Sequence, residues 1–270
     1  MKNPPSSLKK GVKERSRYYL VALVAAIISV AWIAPEPAPW GQTGGGWGET
    51  GEEWTLERVP HLERWLRYDL NAGSSSWISY PDGTDFTQIE GAYQAELTAT
   101  GMDFDDDDRM ESDTVGVHST SRGLSVYAVV DLDVDTGLLM IASKYLTTDD
   151  NREWGLSSSY ARVQETGGYT DNSYTAIFDA ATGLQLLELH WTPGDTVRAY
   201  RNGAHIASST DIVNDITAGS GDVSIGAQDE GGGSSMDGEI REIAIFSCDY
   251  HNMDYETDIC NELNRRHSIW

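Results

Sequence analysis

Uncharged residues run without a break from Tyr18 to Ala34 (YYLVALVAAIISVAWIA), and two different patterns follow them. At ~1.5 Å per helical residue this run reaches roughly 25 Å, the short end of a bilayer's hydrocarbon thickness. Tyr18 and Tyr19 stand at one boundary, and Trp32 and Trp40 stand at or beyond the other, as in interfacial aromatic belts. The pattern predicts a transmembrane helix over 18–34. Residues 35–53 have no periodicity: Pro35, Pro37 and Pro39 favour extended backbone, and GQTGGGWGETGEE follows as a flexible linker. From residue 54 onward the period is that of strands.

Seven segments alternate or run continuously apolar: 124–132, 138–146, 174–180, 184–191, 196–203, 222–227 and 239–246. Gly, Asp, Asn and Ser fill the gaps between them, which predicts an all-β antiparallel sandwich of jelly-roll type over 54–270. Strand–helix alternation and a glycine-rich phosphate loop are both missing, so a doubly wound sheet is excluded. In TVRAYRNGAHIASST, Val197 and Ala199 point one way, Arg198 and Tyr200 the other, and Asn202-Gly203 marks a two-residue hairpin turn. Only 253–267 reads as a helix, with Met253, Ile259 and Leu263 on one face and Arg265, Arg266 and His267 at its C-terminal end.

Charge sets the topology. The chain carries 19 basic and 43 acidic side chains. Residues 1–17 hold six of the bases and one of the acids, which leaves a net charge of −29 after Arg17. A basic leader, an apolar span and an acidic body together predict a cytoplasmic N-terminus and a body outside the cytoplasm, periplasmic or extracellular. A signal peptide cut after Ser29-Val30-Ala31, or a tail buried in a virion, are the competing fates of the leader. The retained anchor is preferred because the leader is long and a Trp would follow the cut directly. Nucleic acid is excluded as a partner of the body, since phosphate binding needs the opposite sign.

The order WTPGDTVRAYRNGAHIAS, DVSIGAQ and MDGEIREIAIFS resembles the closing half of a laminin-G-like, concanavalin-A-like jelly roll. HLERWLRYDLNAG resembles that family's opening strand, and GMDFDDDDRMES its acidic turn, so the likeness spans roughly 56–265. Asp106 stands where the family usually has the turn glycine. The resemblance implies a sandwich with a short C-terminal helix. It leaves function open, because the architecture hosts lectins, adhesion modules, hydrolases and structural parts.

Catalytic carboxylates would have to come from Glu239 and Glu242, which a regular strand sends to opposite faces. No nucleophile motif is present, and the six histidines are far apart in sequence. Asp103, Asp105, Asp106, Asp107 and Asp108 offer hard oxygen ligands for calcium, or else form a solvated acidic loop. Trp40, Trp47 and Trp54 in the linker region, and Tyr169 and Tyr174 in GGYTDNSY, are candidate contacts for a protein or a glycan. Cys248 and Cys260, twelve apart in an exported domain, are expected to form a disulfide worth ~2–3 kcal/mol.

The leading expectation is therefore a non-enzymatic, membrane-anchored accessory subunit bound to other subunits of a membrane protein complex. A polysaccharide-binding surface lectin or adhesin, and a phage virion structural protein, are the alternatives.

Overall fold

Both faces of the segment Leu124–Leu132 are buried, and the whole architecture follows from that. The computed structural model describes residues 55–73, 76–88, 95–105, 108–115, 122–133, 139–144, 153–164, 173–177, 181–210, 222–227 and 235–270. After a 3-10 turn at Leu56–Arg58, β1 (Leu62–Arg67) leads through the short helix α1 (Tyr68–Asn71) to β2 (Ser76–Ile78), β3 (Tyr80–Pro81) and β4 (Asp85–Thr87). Next come β5 (Glu96–Leu97), β6 (Met102–Phe104), β7 (Met110–Val115), β8 (Leu124–Leu132) and β9 (Met140–Lys144). Then follow β10 (Trp154–Ser157), β11 (Tyr160–Gln164), β12 (Ser173–Ile177) and β13 (Gly183–Thr192). The last strands are β14 (Thr196–Arg201), β15 (Ala204–Thr210), β16 (Asp222–Ile225) and β17 (Gly238–Phe246), before helix α2 (Asp254–His267).

These strands form two antiparallel sheets. One runs β15-β14-β13-β8-β17-β1-β3, with β6 and β5 added beside β17; the other runs β12-β11-β10-β9-β16-β7-β4-β2. On β8, Leu124, Val126, Ala128, Val130 and Leu132 face the second sheet and join the main core with Trp154, Leu189, Trp191 and Ile243. Tyr127 and Val129 face the other way, into a second core with Trp65, Phe246, Tyr250, Ile259 and Leu263. Helix α2 lies over this outer face, which is why the central strands read as nearly continuous apolar runs. Burying Ile259 and Leu263 stabilises the docking by roughly 1.5–3 kcal/mol each.

Asp254 and Glu256 occupy the first turn of α2 and Arg265, Arg266 and His267 the last, which complements the helix dipole. The helix ends at Ser268, left-handed at φ 54°, whose N–H donates to the Asn264 carbonyl at 2.7 Å. The Asn264 side-chain oxygen then accepts the N–H groups of Ile269 (3.0 Å) and Trp270 (2.9 Å) and folds the tail back. Met253 does not share the buried face as expected. It precedes the first helical residue and is 46% exposed.

The hairpin is as its sequence predicts. Asn202 and Gly203 take φ of 54° and 72°, the pair of positive values that a type I′ turn requires, and Arg201 pairs with Ala204. Val197 and Ala199 lie in the main core.

Two further expectations are corrected. The register of β17 against β8 shifts between Ile240 and Glu242, so Arg241 is a bulge and β17 is not a regular strand. Ile240 and Ile243 both stay in the main core, and Glu239 and Glu242 come to the same outer face. Each is engaged separately, Glu239 by Thr98, Thr100 and Arg241, Glu242 by Trp65, Arg266 and His267. Nor do Cys248 and Cys260 form a disulfide; both are free. Past the end of β17, the Cys248 thiol turns to the Asp249 carbonyl at 3.7 Å, whereas the Cys260 thiol faces the sheet and meets Glu188 at 3.3 Å. Among the described residues no helix is long and apolar enough to cross a membrane, and the segment 18–34 lies outside them.

Candidate functional site

The alternation that buries Leu187, Leu189 and Trp191 in the main core sends Glu188 and His190 to the outer face of β13. Tyr200 on β14 faces the same way, edge-on to His190 with ring centroids 5.2 Å apart. Helix α2 brings Glu256 and Cys260, one turn apart, down onto these residues. The β17–α2 connection adds His251, whose Nδ1 lies 2.7 Å from the Tyr200 hydroxyl. Beside this cluster a cavity of about 410 Å³ opens between the β14–β15 turn and α2. Tyr200, Asn202, His251, Glu256, Asn261 and Trp270 contribute to its lining.

Behind the cavity lining, which Glu256 and Cys260 share, the cluster is buried and polar. Glu188 and His190 are both fully buried. The Glu188 carboxylate accepts the Gly203 N–H at 3.0 Å and the Cys260 thiol at 3.3 Å, and lies 3.5 Å from His190 Nε2. On its other side the His190 ring places Nδ1 3.0 Å from Ser125 Oγ and 3.8 Å from Asp249. Glu256 accepts the Asn252 N–H at 2.7 Å, with its second oxygen 3.8 Å from His251. Tyr127, edge-on to His190 at 5.3 Å, carries a buried hydroxyl that has no hydrogen-bond partner among the described residues.

Anionic surroundings show in the acidities. Burial, then Glu188, pushes the Cys260 thiol far up. Burial, reinforced by Glu256, raises the Tyr200 phenol to about 12. For Tyr127, burial comes first, and Cys260, Glu188 and Glu256 add to it. His251 is lowered by burial and by Arg198, against the opposing pull of Glu256 and Asp249.

At the rim, Trp270 is 53% exposed and held by the Asn264 fold-back. An aromatic face, three side-chain amides (Asn202, Asn252, Asn261) and a carboxylate thus converge on one open, preformed hollow.

Of the site residues expected from the sequence, Cys260 lines the cavity, whereas Asp103, Asp105, Asp108, Tyr174 and Cys248 do not. Trp40, Trp47, Trp54, Tyr169, Asp106 and Asp107 fall outside the described residues. Tyr174 sits on β12, its backbone paired with Val163. Asp103 lies on β6 opposite Glu239, and burial followed by Asp105 and Glu239 raises its carboxyl. Asp105 and Asp108 close a tight turn on each other, the Asp108 N–H reaching the Asp105 carbonyl at 2.7 Å. Two signals in the sequence mark the observed cluster: Glu-x-His within a strand, and Glu-x-x-x-Cys within a helix.

No protein-family profile matches the chain, and no curated protein sequence does. Solved structures match its fold at low identity. The receptor-binding domain of botulinum neurotoxin D superposes with a TM-score of 0.55 at 12% identity, over 76% of this chain and 53% of that one. The binding domain of botulinum neurotoxin DC in complex with SialylT gives 0.53 at 13%, over 76% and 52%. Trypanosoma rangeli sialidase, in complex with a difluoro-KDN, gives 0.55 at 14%, over 87% and 36%. The chain therefore spans about half of the toxin domains and about a third of the sialidase. These likenesses establish the jelly-roll-like β-sandwich, an architecture found in both binding domains and an enzyme.

Proposed function

We propose that the protein is a glycan-binding β-sandwich, a surface lectin or adhesin, and that the hollow between the β14–β15 turn and α2 is its binding site. The convergence of an exposed Trp270 with Asn202, Asn252, Asn261 and Glu256 on one cavity carries this reading. Sugar rings offer an apolar CH face and a fringe of hydroxyls, and an aromatic platform ringed by amides and a carboxylate matches both. Two of the structural neighbours were solved in complex with SialylT and with 2,3-difluoro-KDN. Here, Glu256 in the lining, Glu188 behind it and a net charge of −24 favour neutral over anionic sugars. The 18–34 segment would hold this module at a membrane, with the sandwich outside the cytoplasm. The accessory-subunit reading rests on the leader and linker, whereas the cavity gives the lectin reading a physical site.

A glycan array probed with the full-length chain in detergent tests it. Binding to a neutral glycan class, lost in Trp270→Ala and Asn261→Ala while thermal unfolding stays as in the wild type, is expected. Silence across neutral and acidic glycans would retire the proposal.

A further inference from the structure

We propose that Glu188, His190 and Glu256 form a binding site for a divalent transition-metal ion, with zinc the best match to the donor set. This does not depend on the hollow's taking a glycan. One ligand atom from each of the three residues lies within 4.8 Å of the other two, and among the described residues this is the group of three that does so. Glu188 Oε2 and His190 Nε2 stand 3.5 Å apart. A tetrahedral zinc with bonds of ~2.0–2.1 Å places neighbouring ligands ~3.3 Å apart, so that edge is nearly preformed.

The surroundings ask for a cation. Glu188 is a fully buried carboxylate whose partners among the described residues are a backbone N–H, a thiol and an imidazole, with no Lys or Arg among them. A buried carboxylate without a full counter-charge is costly, and a bound dication offsets that cost. His190 has the arrangement of a ligating histidine. Its Nδ1 faces Ser125 and Asp249, an orienting pair, and its Nε2 faces Glu188. Tyr127 provides an independent pointer: its ring lies edge-on to His190 at 5.3 Å, and its buried hydroxyl, which has no hydrogen-bond partner among the described residues, is acted on by Cys260, Glu188 and Glu256. A water in the fourth metal position would give that hydroxyl a partner.

Chemistry selects the ion. An imidazole nitrogen with two carboxylates suits zinc and its neighbours better than calcium, which takes six to eight oxygens. Two carboxylates and a neutral imidazole also balance a dication, which leaves Cys260 as a thiol donating to Glu188 outside the metal's own ligands.

Metal-stripped full-length protein, titrated with zinc by calorimetry and checked by elemental analysis, should bind one equivalent. Cobalt should give the visible absorption of a tetrahedral ion. Glu256→Gln, at the cavity wall, should weaken zinc by more than the ~10–100-fold typical of outer-shell changes, with far-UV circular dichroism unchanged. His190→Gln should abolish binding, and Cys260→Ala should retain it. No zinc bound above background, equal affinity in Glu256→Gln, or displacement of zinc by equimolar calcium would each overturn the assignment.

Discussion

Trp65 donates its indole N–H to Glu242 at 2.6 Å, tying β1 to the bulged part of β17. Arg266 (2.6 Å) and His267 (2.7 Å) reach the same carboxylate from helix α2, and Arg266 also lies over the Trp65 ring at 5.2 Å. One fully buried acid thus joins two strands and the helix. Glu242→Gln removes the charge that Arg266 and His267 share, while Arg266 keeps its ion pair with Glu262 at 3.0 Å. It is expected to destabilise the fold by roughly 1–3 kcal/mol, read from the midpoint of urea unfolding.

In the second sheet, Lys144 and Glu153 form an ion pair of 2.6 Å with both side chains out of water. Lys144→Met takes this counter-charge from the buried Glu153 carboxylate and is expected to cost roughly 3–5 kcal/mol. The double change Lys144→Met with Glu153→Leu should recover most of it, because two apolar side chains need no counter-charge. A double-mutant cycle in denaturant measures the coupling, and a double variant no better than the single one would contradict the ion pair's role.

Acid sensitivity has an identifiable contributor at Asp82. Burial pushes its carboxyl up, but hydrogen bonds from Ser79 and Thr84 and the charge of Arg64 at 2.5 Å outweigh it and hold the group below its usual range. Such an acid stabilises the fold above its unfolded pKa of about 3.9 and loses that contribution as pH falls through its lower folded value. Asp82→Asn should therefore be less stable than wild type at neutral pH, with the difference shrinking below about pH 4. Thermal melts across that range check it.

Free thiols are expected at Cys248 and Cys260. Burial and Asp249 raise the first, and burial and Glu188 raise the second further. Under native conditions an alkylating reagent should modify half-buried Cys248 slowly and spare Cys260. Alkylation after unfolding without reductant should add two groups by mass; none added would mean the two are bridged.

Much of the sandwich was legible because strands announce themselves by alternation or, where both faces are covered, by a continuous apolar run. Leu124–Leu132 coincides with the expected segment, and Asn202-Gly203 specifies its turn through φ alone. The bulge at Arg241 was not legible, since an extra residue in one strand is defined only by its partner's register. Cysteine spacing misled because separation along the chain says nothing about which way a helix turns Cys260. Glu188 and His190 were hidden in an apolar run. Reading LQLLELHW as a single buried face overlooks that a strand covered on both sides has a second set of inward positions, and those can hold polar chemistry.

Helix α2, together with Leu56 and Val59 at the N-terminal 3-10 turn, covers Phe246, Tyr250 and Trp65 on the outer face of the larger sheet. Proteolytic clipping or heat-induced detachment of this one segment would leave the sandwich's own pairing intact while baring a greasy plate. Self-association should begin there, well before the strands themselves come apart.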